Sequence, residues 1–226
     1  MMIVVIGAGT VGVSLVQRAL AAGHNDLVVV EPDQALADAC AEQFDARVLA
    51  MDVGDEAFVR ETRLERAEAL IATTDDDATN LMAMMLGQEA GVETLTSTVN
   101  GTTHLGLFKR LGVRILADPE RLVAQHLLDI TLLPETSDVT TLRGGQQILE
   151  LQLGEDSPLI GLTDAQLQQG DWLDGDLQLV ARIRNGKTRA LTDDETLAAG
   201  DGLILFAPER LRGRRRRVFR EKHLEG

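Results

Sequence analysis

A parallel α/β sheet followed by a small α+β domain is what this 226-residue sequence predicts. Three observations carry the prediction. The first half alternates short apolar runs with amphipathic stretches of helical period. The first apolar run leads directly into Gly7-Ala8-Gly9-Thr10-Val11-Gly12. In the last third, strand patterns and turn signals follow one another with a single short helix among them.

Met2–Ile6 is a continuous apolar run, as a strand buried on both faces should be. Thr10–Ala22 then places Val11, Leu15, Val16, Ala19 and Leu20 at helical spacing. Leu27–Val30, Ala46–Ala50, Ala69–Ala72, Thr94–Val99 and Val113–Ala117 read as further strands. Gln34–Phe44, Asp55–Arg63, Thr79–Glu89 and Thr103–Leu111 read as the helices between them, with Asp55 the expected cap of its helix. Strands separated throughout by helices give a Rossmann-like, doubly wound parallel sheet. A further helix has an explicit start: Asp118 as cap, Pro119 in the first position, Glu120 complementing the dipole. Its stripe of Leu122, Val123, His126, Leu127 and Ile130 lies beyond the last strand of the sheet. It needs another partner, either a neighbouring subunit or the second domain.

Leu133–Asp138 reads as a linker, and Val139–Arg143, Gln147–Leu153, Leu177–Ile183 and Leu203–Phe206 as strands. Asn185-Gly186 is a strong hairpin signal, and Thr163–Gln168 the one short helix. The expected division is 1–133 for the sheet domain, 139–208 for the small α+β domain and 209–226 for a basic tail. That tail carries seven Arg and one Lys against three Glu. It is either a solvated helix end or an anchor to an anionic membrane surface or acidic partner.

The net charge of −14 argues against a general nucleic-acid binder, which needs a basic face to displace counterions. No apolar run approaches the ~18 residues that cross a bilayer, and the start MMIVVIGAG lacks the basic region of a signal peptide. A cytoplasmic location is expected. The single cysteine, Cys40, permits no internal disulfide and reads as buried and inert. His24, His104, His126 and His223 are dispersed, with no nucleophile or metal-ligand partner at motif spacing. No catalytic residue and no metal site is assigned.

The chemistry resides in the glycine turn. Gly7 permits the tight turn, Gly9 lets a phosphate approach the backbone, and Gly12 lets the helix pack closely on the strand. Thr10 and Val11 open that helix, whose N-terminus offers unpaired N–H groups to an anion. Glu31 ends the second strand, where a carboxylate accepts ribose hydroxyls and repels a 2′-phosphate, favouring NAD or an adenine nucleotide over NADP. Asp33 reads better as a helix cap than as a ligand contact. Asp52 and Val53 follow the third strand near the expected adenine edge, and with Asp55 as cap Asp52 is free to face the ligand. Thr73, Thr74, Asp77 and Asn80 follow the fourth strand at the carboxyl edge, where ligands bind in such sheets. Asp76 or Asp77 is expected to cap the next helix.

Gly7-x-Gly9-x-x-Gly12, Glu31 with Asp33, Asp52 and Thr74-x-x-Asp77-x-x-Asn80 fall in the order seen in the TrkA/KTN family. The second half resembles the same family in Ser157-Pro158-Leu159-Ile160-Gly161 with Leu167, in Ala181–Gly186 and in Ala199–Ile204. The resemblance covers residues 2–208 and implies an RCK N-terminal domain followed by an RCK C-terminal (TrkA-C) domain. It implies a cytoplasmic regulatory subunit, peripheral at the inner face of the cell membrane, that gates a membrane-embedded Trk- or Ktr-type potassium transporter. Such subunits pair through helices after the sheet and form homo-oligomers, from dimer to ring. They bind NAD or NADH, ADP, AMP or ATP. Two positions depart from many relatives: Thr10 stands where a charged residue is common, and Thr98 where Arg is common. Phosphate binding here then rests mainly on backbone dipoles, so weaker discrimination for ATP and a relative preference for NAD(H), ADP or AMP are expected. The competing readings are an NAD-dependent oxidoreductase and a standalone nucleotide- or redox-sensing module.

Overall fold

β1 (Met2–Ile6) is buried along its whole length. Val4 and Ile6 enter one layer with Val28, Leu70, Phe58 and Phe108, and Ile3 and Val5 enter the other with Val16, Val29 and Cys40. A strand covered on both faces needs apolar side chains at every position, so it shows no alternation. The computed structural model describes residues 1–134, 136–142, 144–170, 172–173, 176–190 and 195–211. It divides into two units, Met1–Arg121 and a second beginning at Leu122.

In the first unit β1 is followed by α1 (Thr10–Ala21), β2 (Asp26–Val30), α2 (Gln34–Gln43), β3 (Arg47–Leu49) and α3 (Phe58–Thr62). Then come β4 (Ala69–Ala72), α4 (Asp77–Glu89), β5 (Thr94–Val99), α5 (Leu105–Arg110) and β6 (Arg114–Ala117), after which α6 (Pro119–Leu132) starts at the end of the first unit and belongs from Leu122 onward to the second. The sheet is parallel throughout, in the order β3-β2-β1-β4-β5-β6. The chain winds outward from β1 to β3, then crosses back to β4. The carboxyl ends of β1 and β4 therefore form the switch point at which a crevice opens.

One expected helix starts late. α3 begins at Phe58 with Ala57 as an N-cap that makes no side-chain bond. Asp55 is not its cap: its Oδ2 accepts the Asp52 N–H at 2.9 Å, and its carbonyl accepts from Phe58 N at 2.9 Å. The local turn captures the carboxylate before the helix can use it. At α6 the start signal holds, since Asp118 Oδ1 accepts the Arg121 N–H at 3.0 Å, although Asp118 itself has φ of +51°.

The second unit is an antiparallel sheet of β7 (Asp138–Thr141), β8 (Gln147–Gln152), β9 (Gln178–Arg184), β10 (Lys187–Ala190) and β11 (Gly202–Ala207). Its order is β10-β9-β11-β8-β7. α7 (Asp164–Gln169) is held by a capping box in which Thr163 Oγ1 accepts from Gln166 N and Gln166 Oε1 from Thr163 N. β8 alternates buried and exposed along its length, with Leu149 and Leu151 packing on Leu203 and Leu205. Asn185 (φ 53°) and Gly186 (φ 70°) join β9 to β10, the positive pair a two-residue hairpin requires.

A buried polar cluster orders the far end of α6. Asp129, 3% exposed, accepts from Gln125 Nε2, Thr141 Oγ1 and Arg210 at 2.7–2.8 Å. On the other flank Leu122, Val123, Leu127 and Leu128 are 47%, 61%, 55% and 49% exposed. Arg212–Gly226, which holds all the tail arginines except Arg210, lies outside the described residues, as do Glu135 of the expected linker and Arg143.

Candidate nucleotide-binding site

The glycine turn lies at the switch point, between β1 and α1. Gly7 takes φ of +98°, and its N–H donates to Val30 O at 2.8 Å. A Cβ there would lie 3.1 Å from Thr74 Cγ2 and 3.2 Å from Thr73 Oγ1, so the turn is flush against the loop after β4. At Gly12 a Cβ would fall 1.9 Å from Gly7 O, a contact only glycine avoids. At Gly9 it would meet nothing within 4 Å. Gly9, Thr10 and Val11 are exposed, while Ala8 is buried. The N–H groups of Thr10, Val11 and Gly12 have no acceptor among the described residues. Three donors at a helix N-terminus, facing open space over Gly9, are suited to an anion.

Glu31 is 8% exposed, and both its oxygens are engaged. Oε2 accepts the Ala8 N–H at 2.7 Å, and Oε1 the Asp33 N–H at 3.0 Å. The carboxylate thus braces the turn as well as standing at the end of β2. Each oxygen keeps a second lone pair for a ribose hydroxyl. Behind it, burial first and the Glu31 charge second push the Cys40 thiol above its usual range. Asp33 caps α2, its Oδ1 accepting from Ala35 N at 2.8 Å and Leu36 N at 3.1 Å. Asp52 is exposed, but its Oδ1 already accepts from Gly54 N at 2.7 Å. The Val53 side chain sits in the core, so only its backbone could meet a ligand.

The acids after β4 face different ways. Asp76 is the cap of α4, accepting from Ala78 N and Thr79 N. The Thr79 hydroxyl and N–H hold its carboxyl below the usual carboxylate range. Asp77 turns inward and is 8% exposed. Its Oδ1 accepts from Asn100 N at 2.8 Å, its Oδ2 from Gly101 N at 2.8 Å and from His104 Nδ1 at 3.1 Å. Burial raises its pKa, but the two backbone donors and His104 outweigh that and hold it low. Asn80 is fully buried: Oδ1 accepts from Thr74 Oγ1 at 2.7 Å, and Nδ2 donates to Thr74 O at 2.9 Å. Thr73 Oγ1 donates to Ile6 O at 3.1 Å. Thr98 is buried, its hydroxyl turned to Ala72 O and Thr74 O at 3.5 Å.

The structure therefore brings Glu31, Thr73 and Thr74 against the glycine turn Gly7–Gly12. It places Asp33, Asp77 and Asn80 as supports behind it. Asn100, Gly101 and His104 were missed from the sequence. Their signal was an Asn-Gly pair at the carboxyl end of a predicted strand, the edge where ligands bind.

Residues 3–119 match the TrkA-N domain family. The chain belongs to that family. A Trk system potassium uptake protein TrkA homolog of Methanothermobacter thermautotrophicus is 27% identical over 154 residues, covering 68% of this chain and 71% of the relative. The Azorhizobium caulinodans protein named Trk system potassium uptake protein TrkA is 27% identical over 217 residues, covering 91% of this chain and 44% of its own. This chain thus spans under half the length of that relative. Among solved structures, the GsuK channel bound to NAD aligns with a TM-score of 0.61 at 18% identity, over 91% of this chain and 37% of that one. The likeness shows a shared fold across both units, with the TrkA-N domain as the first.

Proposed function

We propose that this chain is a regulatory subunit of a potassium uptake transporter, gating it through NAD(H) or an adenine nucleotide bound at the glycine turn. The carrying observation is the open Gly9 turn with its unpartnered N–H groups, in a TrkA-N domain whose matched relatives are named for potassium uptake. The site residues are Gly7, Ala8, Gly9, Thr10, Val11 and Gly12 for the phosphates, Glu31 for the ribose, and Asp52, Val53, Thr73 and Thr74 at the rim. Asp33, Asp77 and Asn80 hold those groups in place.

In this reading the nucleotide is a ligand, not a reactant. It biases the transporter only to the extent that it binds two assembly states unequally. The exposed leucine and valine side chains of α6 are the surface through which copies of the chain pair, and a membrane-embedded transporter is the partner of the assembly. No helix among the described residues is long and apolar enough to cross a membrane.

The test is mass spectrometry of ligand retained by the purified chain, followed by Gly9→Asp in a potassium-dependent growth assay. Retained NAD(H) or adenine nucleotide, lost in Gly9→Asp together with growth rescue, is expected. Unchanged transport in a variant that binds no nucleotide refutes the gating. Hydride transfer from bound NADH to a carbonyl compound would instead support an oxidoreductase.

A further inference from the structure

Asp77 is buried, carries a charge and touches two loops at once. It belongs to the first turn of α4, yet its oxygens are aimed at the loop after β5. Asn100 strengthens the link from the other side, its Nδ2 donating to Asp77 Oδ1 and Asp75 O, both at 3.1 Å. Asp75 adjoins Thr74, and Thr74 packs on Gly7 within the distance a Cβ would need. A continuous path of contacts therefore leads from His104 through Asp77 and the loop after β4 to the glycine turn. His104 is its outer end, with a side chain 49% exposed. The space is tight along the way: a Cβ at Gly101 would lie 3.1 Å from Asp77 Oδ2.

We propose that His104 is a positioning residue of the nucleotide site, which holds the Thr73–Thr74 wall against the glycine turn through Asp77 and binds nucleotide more tightly when protonated. This rests on the reading of the glycine turn as a nucleotide site. The Asp77 carboxylate only accepts, so His104 Nδ1 carries the shared proton in either state of the ring. A second proton converts a neutral donor into a charged one and strengthens the bond. It also adds a positive charge at the edge where the phosphates bind. The charges that act on the ring are Asp77, hydrogen-bonded to it, and Asp76, the cap of α4; Asp75 precedes them in the loop after β4. Asp118, after β6, lies at the same edge but is paired with Arg121. Glu89, Lys109, Arg110 and Arg114 all lie at the opposite, amino edge of the sheet, at the far ends of α4 and α5 and the start of β6. Among the described residues no other cation is ion-paired with Asp76 or Asp77.

Calorimetric titration of the full chain with NAD and with ADP at pH 6 and pH 8 tests this. Wild type should bind about three- to ten-fold tighter at pH 6, the scale of one strengthened hydrogen bond. His104→Ala should weaken binding at both values and flatten the dependence. His104→Gln, which keeps a donor, should recover affinity at pH 8 but stay flat. Amide exchange at Asn100 and Gly101 should quicken in His104→Ala without ligand. Binding by His104→Ala with wild-type affinity and pH profile overturns the proposal alone. Failure of wild type to bind either nucleotide overturns the site itself, and this proposal with it.

Discussion

Glu31 Oε2 accepts the backbone N–H of Ala8 at 2.7 Å, so the carboxylate that ends β2 also fixes the glycine turn that ends β1. The two residues are 23 apart in sequence and meet because β1 and β2 run side by side. A residue expected only to receive a ribose is thus part of the frame that receives the phosphate.

Glu31→Ala should therefore do more than abolish nucleotide binding. It strands the N–H groups of Ala8 and Asp33, one of them buried, and should cost about 1–3 kcal/mol of stability. Gly9→Asp, at a position with open space and φ of −70°, should lose binding with little change in stability. Urea unfolding of both variants, beside calorimetry with NAD, separates them.

ATP should bind no more than about ten-fold tighter than NAD or ADP, a margin of ~1.4 kcal/mol. Thr10 offers a hydroxyl without charge, and Thr98 is buried with its hydroxyl directed at backbone carbonyls. The extra charge of a third phosphate then meets only helix dipole and N–H groups. Parallel titrations at fixed magnesium would expose a larger preference if a cation were recruited.

In the second unit Asp201, 2% exposed, takes Arg184 Nε and Nη2 at 2.6 Å each. Those bonds come first in holding its carboxyl low, opposed by burial and aided by the Ala198 N–H and the Arg182 charge. A depressed pKa means stability present above the unfolded value, about 3.9, and lost as pH falls through the folded one. Thermal melts between pH 6 and pH 3 should show wild type losing more stability than Asp201→Asn. At pH 6 the variant should be less stable by about 2 kcal/mol.

Val123→Asp and Leu127→Asp should shift the chain towards monomer. Both side chains are more than half exposed, so neither change should disturb a core. Light scattering after gel filtration reads the mass, and circular dichroism checks the fold. An unchanged mass in both variants would place the pairing surface elsewhere.

The sheet and its glycine turn were legible because their requirements are local. β1 needs an unbroken apolar run, Gly7 a positive φ, and Gly12 room for Gly7 O. The hairpin at Asn185-Gly186 was legible for the same reason. Side-chain assignments fared differently. Asp76 and Asp77 were indistinguishable as caps, because the choice depends on which one points into the loop after β5, 23 residues on. Asp55 was expected to cap α3, and a bond to Asp52 N took it first. His104 looked isolated because its partner is 27 residues earlier. A sequence displays what a backbone demands of its own neighbours, but not which donor a folded sheet will bring across.

Cys40, the chain's only thiol, lies 2% exposed beneath Glu31 with its ionisation suppressed. The native protein is consequently its own blank for sulfur chemistry. A single Glu42→Cys, exposed on α2 and no part of the α6 surface, would be the first thiol a maleimide meets. Fluorophores placed there on different copies would report, in real time, whether the distance between copies changes when nucleotide is added.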